Sequence, residues 1–120
     1  MSIVVYALDV STLDPDLKFW SRWVDAARLA AASQLRRRED RGLALGAGLL
    51  LAYAVRQVHP GQALPLDVKT APGGKPFLPA FPDFHFSISH SGIWSVCAAS
   101  GHPVGVDIEQ VADNMYEVAW

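Results

Sequence analysis

Two acidic residues near the end of the chain, Asp107 and Glu109, have the types and the spacing of a metal site. They are two positions apart and alternate with the apolar residues Val106 and Ile108. In an extended strand, side chains two positions apart leave on the same side, so both carboxylates face one point. Magnesium in proteins is commonly held by one or two carboxylates together with substrate phosphates. The pair predicts such a magnesium site, with a solvated acidic strand face as the alternative.

A second polar group lies in the sequence S-I-S-H-S at residues 87–91. Ser89 and Ser91 place hydroxyl groups on either side of the His90 imidazole, and Gly92 permits a tight turn behind them. Hydroxyl and imidazole donors suit phosphate oxygens. A lone histidine beside a strand is also commonly a structural residue, so both roles stay open.

The sequence A-P-G-G-K-P at residues 71–76 is typical of a turn. Gly73 and Gly74 permit positive φ angles and a close backbone approach to a ligand, with Lys75 at the tip. An ordinary exposed turn lysine is the alternative.

Three motifs follow one another: G-K-P at Gly74–Pro76, F-S-I-S-H-S at Phe86–Ser91 and G-V-D-I-E at Gly105–Glu109. In this order they resemble the 4'-phosphopantetheinyl transferases, of the larger type that activates peptide and polyketide synthetases. The resemblance covers roughly residues 35–110. It implies that residues 1–120 form a single domain similar to the N-terminal half of such an enzyme.

The resemblance implies a role for each polar group. Asp107 and Glu109 would act in catalysis by holding Mg²⁺ across the pyrophosphate of coenzyme A, the donor substrate. Ser89 and His90 would contact the 3'-phosphate and the pyrophosphate.

In the resembled family the G-K-P turn lies against the adenine end of coenzyme A. This implies nucleotide contacts from Lys75 and from the backbone of Gly74 and Pro76. A basic residue in the stretch 36–41 would bind phosphate, and Arg41 is assigned that role. A solvated face formed by these arginines is the alternative.

The implied activity is magnesium-dependent transfer of the 4'-phosphopantetheine arm from coenzyme A to a serine of an acyl or peptidyl carrier protein. A non-catalytic module that binds coenzyme A or assists assembly is the alternative. A metal-dependent phosphodiesterase is a third possibility, but the acidic pair has no nearby lysine and no second acidic motif.

The end of the chain departs from the resembled pattern. A later W-x-x-K-E motif, whose glutamate completes the metal site and whose lysine assists transfer, has no match after Glu109, and no Lys or Arg follows Lys75. We therefore expect a second half-domain or a homo-oligomer to be needed, and no useful transfer by these 120 residues alone. The segment Asp113–Trp120 is predicted to be a short helix.

The first elements are a strand and a helix. Ile3–Val10 is rich in branched and aromatic residues, which favour a strand. A helix is predicted over residues 15–36, with Ser11 or Asp14 as its cap and Pro15 in its first turn. Its apolar stripe comprises Leu17, Trp20, Val24, Ala27 and Ala31.

The next segment, Leu43–Val58, is apolar on most sides and predicts a buried helix. Gly46 and Gly48 lie inside it, where each glycine costs roughly 1 kcal/mol relative to alanine. Close approach of another part of the chain would compensate that cost. At this length the helix is too short to span a bilayer.

The remaining elements are strands. Leu64–Thr70 is predicted to be a strand or a strand edge, and Phe84–Glu109 to contain three short strands. The fold class is therefore α+β, with a helix pair packed on a small, mostly antiparallel sheet. The resemblance implies that this is one half of a pseudo-twofold pair.

Composition excludes several classes of function. The formal net charge of −2 gives no reason to expect a nucleic-acid partner. The first ten residues lack a cationic segment, so neither a signal peptide nor a membrane span is predicted. The single cysteine, Cys97, excludes an intrachain disulfide, makes a zinc site unexpected and favours a cytoplasmic location.

Overall fold

A computed structural model describes residues 2–14, 16–111 and 116–119 of the chain. Its elements in chain order are β1 (Val4–Asp9), α1 (Leu17–Trp20), α2 (Ala26–Ser33), α3 (Arg38–Val58), β2 (Lys69–Thr70), β3 (Pro76–Phe77), β4 (His85–Ser91), β5 (Trp94–Ser100), β6 (Asp107–Gln110) and β7 (Tyr116–Ala119). The mixture of helices with small antiparallel sheets confirms the predicted α+β class.

The central sheet has three antiparallel strands in the order β1-β5-β4. Its middle strand, β5, is buried from Ser95 to Ser100. Helix α3 packs against all three strands, and α2 packs against α3. The main core lies between α3 and the sheet, where Leu51 and Val55 meet Phe86 and Cys97. Phe86 in β4 and Phe84 just before it are both buried, whereas His85 between them is half-buried.

Helix α3 begins five residues before the predicted segment. Glu39 and Asp40 occupy its first turn, where acidic side chains favour a helix start. The predicted tight packing at the two glycines is confirmed. A Cβ built on Gly46 would lie 2.5 Å from Val10 Cγ1, and one built on Gly48 would lie 2.6 Å from Val24 Cγ1.

The single helix predicted over residues 15–36 is wrong, because two aspartates start separate helices there. Asp16 accepts hydrogen bonds from the N–H groups of Lys18 (3.1 Å) and Phe19 (3.4 Å), so neither Ser11 nor Asp14 is the cap. Asp25 accepts one from the N–H of Arg28 (3.0 Å) and caps α2. Aspartate competes for backbone N–H groups in this way and favours caps over helix interiors. Pro15, assigned to the first turn, lies outside the described residues.

The break between α1 and α2 also changes the buried face. Val24 is fully buried, as the predicted stripe requires, but Ala27 and Ala31 are exposed, and Ala32 is buried in their place. The non-helical residues at the break shift the helical phase by one position. Trp20 belongs to an aromatic cluster, with its ring centroid 4.8 Å from that of Phe19.

Two strand assignments also need correction. Only Lys69–Thr70 of the predicted strand Leu64–Thr70 pairs, with β3; in the unpaired part Leu66 is buried in the core, and Pro65 beside it has no N–H to donate. The predicted helix Asp113–Trp120 is wrong over its described part, since residues 116–119 form β7 against β6. Aromatic and branched residues in the sequence Y-E-V-A favour pairing with the available edge of β6. Residues 112–115 and 120 lie outside the described part.

Within the described residues, no helix combines the length and the apolar character needed to cross a membrane.

Cys97 lies in β5 and is fully buried. Burial raises the pKa of its thiol to about 12, against a smaller opposing effect of the Arg28 charge.

Because the thiolate is the nucleophile, we expect iodoacetamide at about pH 8 to alkylate Cys97 of the folded chain at least about 100-fold more slowly than in the urea-unfolded chain. Mass spectrometry of a time course measures both rates. Equal rates would contradict the burial of this side chain.

Candidate functional site

Strands β4 and β6, which carry the predicted site residues, are joined through serine side chains. Ser87 Oγ accepts a hydrogen bond from the N–H of Val106 (3.1 Å), and Ser89 Oγ accepts one from the N–H of Ile108 (3.3 Å). Ser89 Oγ also donates to Asp107 Oδ1 (3.1 Å). The fold therefore brings the S-I-S-H-S segment and the acidic pair together, although they are about 18 residues apart in sequence.

The acidic pair has the predicted alternation. Asp107 and Glu109 are exposed, whereas Ile108 between them is 5% exposed. Both carboxylates line a small pocket of about 180 Å³, together with Glu117 and Ala119. The two assigned residues thus share one side of β6.

Glu117 is a residue that the sequence analysis missed. It lies on β7 directly opposite Glu109 in the strand register. The alternation of Tyr116 and Val118 around it could have indicated a strand, but the segment was assigned to a helix. In the described parts of the chain, no group of three His, Cys, Asp or Glu side chains is arranged to hold a metal ion. The acidic pocket therefore offers carboxylate oxygens, which are ligands for Mg²⁺, on one side only. It does not form a three-residue site around the ion.

Ser89 and His90 are adjacent in sequence but project from opposite faces of β4. The strand is regular over its full length, so successive side chains alternate. Ser87 and Ser89 face β6, whereas Phe86 lies in the core against α3. His90 has the same parity as Phe86 and belongs to the α3 side.

The strand register shows which part of α3 lies near His90. Its partner on β5 is Ser95, whose hydroxyl donates to the carbonyl of Leu43 in α3 (2.8 Å). Cross-strand partners point to the same face, so exposed His90 lies near the beginning of α3.

Arg41, assigned to phosphate binding, is also at the beginning of α3. Its Nη1 donates to the carbonyls of Leu35 (3.1 Å) and Arg36 (2.9 Å), which holds the guanidinium against the preceding loop. Arg38, which the sequence did not distinguish from its neighbours, lines a pocket of about 170 Å³ with Gly92 after β4. The basic stretch and the end of β4 therefore share one side of the molecule.

The G-K-P turn connects β2 and β3. Gly73 and Gly74 have φ angles of 97° and 92°, as the predicted turn requires. The N–H of Gly74 donates to the carbonyl of Ala71 (2.9 Å) and closes the turn. Lys75 and Pro76 line a mostly apolar pocket of about 310 Å³, whose other walls are formed by Ala71, Phe77, Leu78, Phe81, Pro82, Phe84, His85, Phe86 and Pro103.

His85 connects this pocket to the serine face of β4, because it has the same parity as Ser87 and Ser89. A strand rises about 3.3 Å per residue, so the turn pocket and the Ser89–Asp107 contact are separated by about 13 Å along β4. The predicted site residues thus form three groups around one strand: the turn, the acidic pair and the beginning of α3.

Comparison with known families finds a match over most of the chain. A family model described as "4'-phosphopantetheinyl transferase, N-terminal" matches residues 12–102. The chain belongs to the 4'-phosphopantetheinyl transferase family, and it corresponds to the N-terminal half.

Individual relatives carry the same description. The chain is 30% identical over 115 residues to 4'-phosphopantetheinyl transferase psf-1 of Bacillus pumilus, an alignment that covers 89% of this chain and 48% of that protein. It is 50% identical over 46 residues to 4'-phosphopantetheinyl transferase Sfp of Bacillus subtilis strain 168, covering 38% of this chain and 20% of that protein. In these alignments the chain spans about half the length of psf-1 and 20% of the length of Sfp.

Proposed function

We propose that this chain forms the coenzyme A-binding half of an enzyme that transfers the 4'-phosphopantetheine arm to a serine of an acyl or peptidyl carrier protein. Family membership supports the reaction class. The observation that carries the proposal is the hydrogen bond from Ser89 to Asp107 (3.1 Å), which joins the phosphate-type motif to the acidic pair. Ser89 would then hold the Asp107 carboxylate at the proposed cation site, which the phosphates of coenzyme A would complete.

Asp107 and Glu109 would hold Mg²⁺, since both carboxylates line one pocket and are hard oxygen ligands. When bound, the ion would neutralise charge that develops on the pyrophosphate during transfer. Glu117 adds a third acidic side chain to the same pocket. Nearby phosphates and waters would fill the remaining coordination positions.

The proposed reaction exchanges one P–O bond for another. The carrier-protein serine oxygen attacks the phosphorus that bears the pantetheine arm, and the bond from this phosphorus to the bridging oxygen breaks. 3',5'-ADP leaves, and the serine hydroxyl loses its proton. We propose that a second half, related to this one by a pseudo-twofold axis, or a second copy supplies the lysine and the further carboxylate that assist these steps.

The 3'-phosphate would bind where β4 ends and α3 begins. His90 is exposed there, and among the described residues Arg41 donates from Nη1, to the carbonyls of Leu35 and Arg36. A guanidinium has five N–H donors, so Nε and Nη2 remain for an anion. The N–H groups of a helix start add to the positive potential.

The adenine would bind at the G-K-P turn. The N–H of Gly74 is already used within the turn, and Pro76 has none. A ligand would therefore meet carbonyl acceptors, which match an exocyclic amino group, beside an apolar pocket wall. Exposed Lys75 would add a positive charge near the phosphates.

We expect the chain to bind coenzyme A more tightly than 3'-dephospho-coenzyme A, and His90→Ala to remove most of that preference. A hydrogen bond to a charged group contributes roughly 1.5–3 kcal/mol, so the preference should be about 10- to 100-fold. Calorimetry with both ligands measures it. His102→Ala is the matched control, because His102 is exposed and lies beyond β5.

Equal affinities for the two ligands, or an unchanged preference in His90→Ala, would remove the assignment of His90 to the 3'-phosphate. Tight binding of coenzyme A without transfer, even when a complementing second half is added, would favour the assembly module instead. Hydrolysis of coenzyme A without an acceptor would favour a phosphodiesterase.

A further inference from the structure

The ribbon of β6 and β7 is attached to the central sheet through side chains. Among the described residues, β6 forms its backbone ladder with β7, and β4 forms its ladder with β5. Two hydroxyls bridge β6 to β4: Ser87 Oγ accepts from the N–H of Val106 (3.1 Å), and Ser89 Oγ accepts from the N–H of Ile108 (3.3 Å). Successive N–H groups of a strand point in opposite directions, so these two face β4 together.

The spacing of the serines fixes the position of β6. Two hydroxyls that are two residues apart match two N–H groups that are two residues apart. A shift of β6 by one residue would turn the carboxylates of Asp107 and Glu109 to the other face. A shift by two residues would pair Ser87 and Ser89 with other N–H groups and would take Asp107 away from the Ser89 hydroxyl.

Ser89 also orients the carboxylate of Asp107. A serine hydroxyl has one proton and two acceptor positions. The Ser89 proton is donated to Asp107 Oδ1 (3.1 Å), while the N–H of Ile108 occupies an acceptor position (3.3 Å). Its only proton is therefore not available to a ligand oxygen in this arrangement. Hydrogen bonds to ligating carboxylates hold them in the orientation that a metal requires.

We infer that Ser87 and Ser89 are positioning residues, whose hydroxyls dock β6 on β4 and aim Asp107 at the metal. The part that concerns the metal rests on the proposed function, whereas the docking of β6 does not. This role differs from the direct phosphate contact that the family resemblance implies for Ser89. A positioning role and a direct phosphate contact of Ser89 predict different results in the two experiments below.

Hydrogen exchange tests the docking without any ligand. Ser87→Ala should accelerate exchange of the Val106 amide, and Ser89→Ala that of the Ile108 amide, each by about tenfold, because each amide loses a hydrogen bond of roughly 1.4 kcal/mol. The threonine variants at both positions keep the hydroxyl and should keep the slow exchange. Ser91→Ala is the matched control, since Ser91 shares the face of β4 but has no hydrogen bond to β6 among the described residues.

Calorimetry tests the effect on the metal. Loss of an outer partner of a metal ligand typically costs 10- to 100-fold in metal affinity. Ser89→Ala should therefore reduce the gain in coenzyme A affinity that Mg²⁺ provides, and Ser89→Thr should restore it. The His90-dependent preference for the 3'-phosphate should stay unchanged. In an Asp107→Asn background, Ser89→Ala should have no further effect, because Ser89 acts through Asp107.

Unchanged amide exchange in both alanine variants would overturn the docking role. If Ser89→Ala lowers the coenzyme A affinity equally in the wild-type and the Asp107→Asn backgrounds, the positioning role is overturned. Ser89 is then assigned to direct ligand contact. If the wild-type chain does not bind coenzyme A at all, the proposed function fails, and the exchange rates alone decide whether the serines dock β6.

Discussion

Asp107→Asn is expected to abolish the increase in coenzyme A affinity that Mg²⁺ produces in the wild-type chain. Couplings between two bound ligands are typically 5- to 150-fold. We expect Mg²⁺ to raise the coenzyme A affinity of the wild type by a factor in that range and to leave the affinity of Asp107→Asn unchanged. Magnesium alone should bind weakly to the wild type, because the pyrophosphate supplies oxygens that the ion otherwise lacks. Calorimetry of coenzyme A binding with and without MgCl₂ measures the coupling.

Asparagine is the informative substitution at this position. Its side-chain oxygen can still accept the hydrogen bond from Ser89, so β6 should remain docked while the negative charge is lost. Asp83→Asn is the control with the same change of charge, because exposed Asp83 lies outside the acidic pocket. In a complete transfer reaction, loss of this charge should lower the rate by roughly 10²-fold.

A wild-type chain whose coenzyme A affinity does not respond to Mg²⁺ would identify the acidic pair as a solvated strand face. A normal response in Asp107→Asn would instead assign the ion to other residues. Glu117→Gln would then be the next variant, since Glu117 lines the same pocket.

The strands around the site were predictable because their alternation is local. Phe86 alternates with Ser87 and Ser89, and Ile108 with Asp107 and Glu109, so the buried and polar sides follow from the period of two. The same rule separates His90 from Ser89. The alternation does not say which element covers each side of β4. Tertiary topology places β6 on the serine face and α3 on the histidine face.

The helical region was harder to predict, because a single capping residue can override a periodic pattern. Asp25 lies inside the predicted helix, yet it is 5% exposed and caps α2. Its hydrogen bond to the N–H of Arg28 stabilises a helix start in the middle of the predicted helix. Helix α3 was predictable because its apolar residues persist over about four turns, and tertiary packing supports them.

The second large effect is expected at Gly46, where alanine should destabilise the fold. A Cβ at this position would lie 2.5 Å from Val10 Cγ1 and 3.3 Å from Ser95 Oγ. Val10 is 7% exposed and β-branched, so it cannot rotate away without disturbing its neighbours. Overpacking of a core costs roughly 1–3 kcal/mol and replacing glycine inside a helix gains about 1 kcal/mol, so we expect a net destabilisation of up to about 2 kcal/mol.

Gly42→Ala is the control in the same helix, and its expected effect has the opposite sign. A Cβ at Gly42 would make ordinary contacts, at 3.8 Å from Val10 Cγ2 and from the Val10 carbonyl. The helix propensity gain should then stabilise the chain by about 0.5–1 kcal/mol. Gly48→Ala should behave like Gly46→Ala, because its Cβ would lie 2.6 Å from Val24 Cγ1.

Thermal unfolding separates these effects, since 1 kcal/mol shifts the Tm of a domain of this size by about 3–6 °C. We expect Gly46→Ala to lower the Tm and Gly42→Ala to raise it. Urea unfolding gives the corresponding free energies, and unchanged m-values would attribute the shifts to the folded state. If both variants raised the Tm equally, α3 would not approach Val10 closely. The close contact between α3 and Val10, just after β1, would then not depend on the absence of a side chain at Gly46.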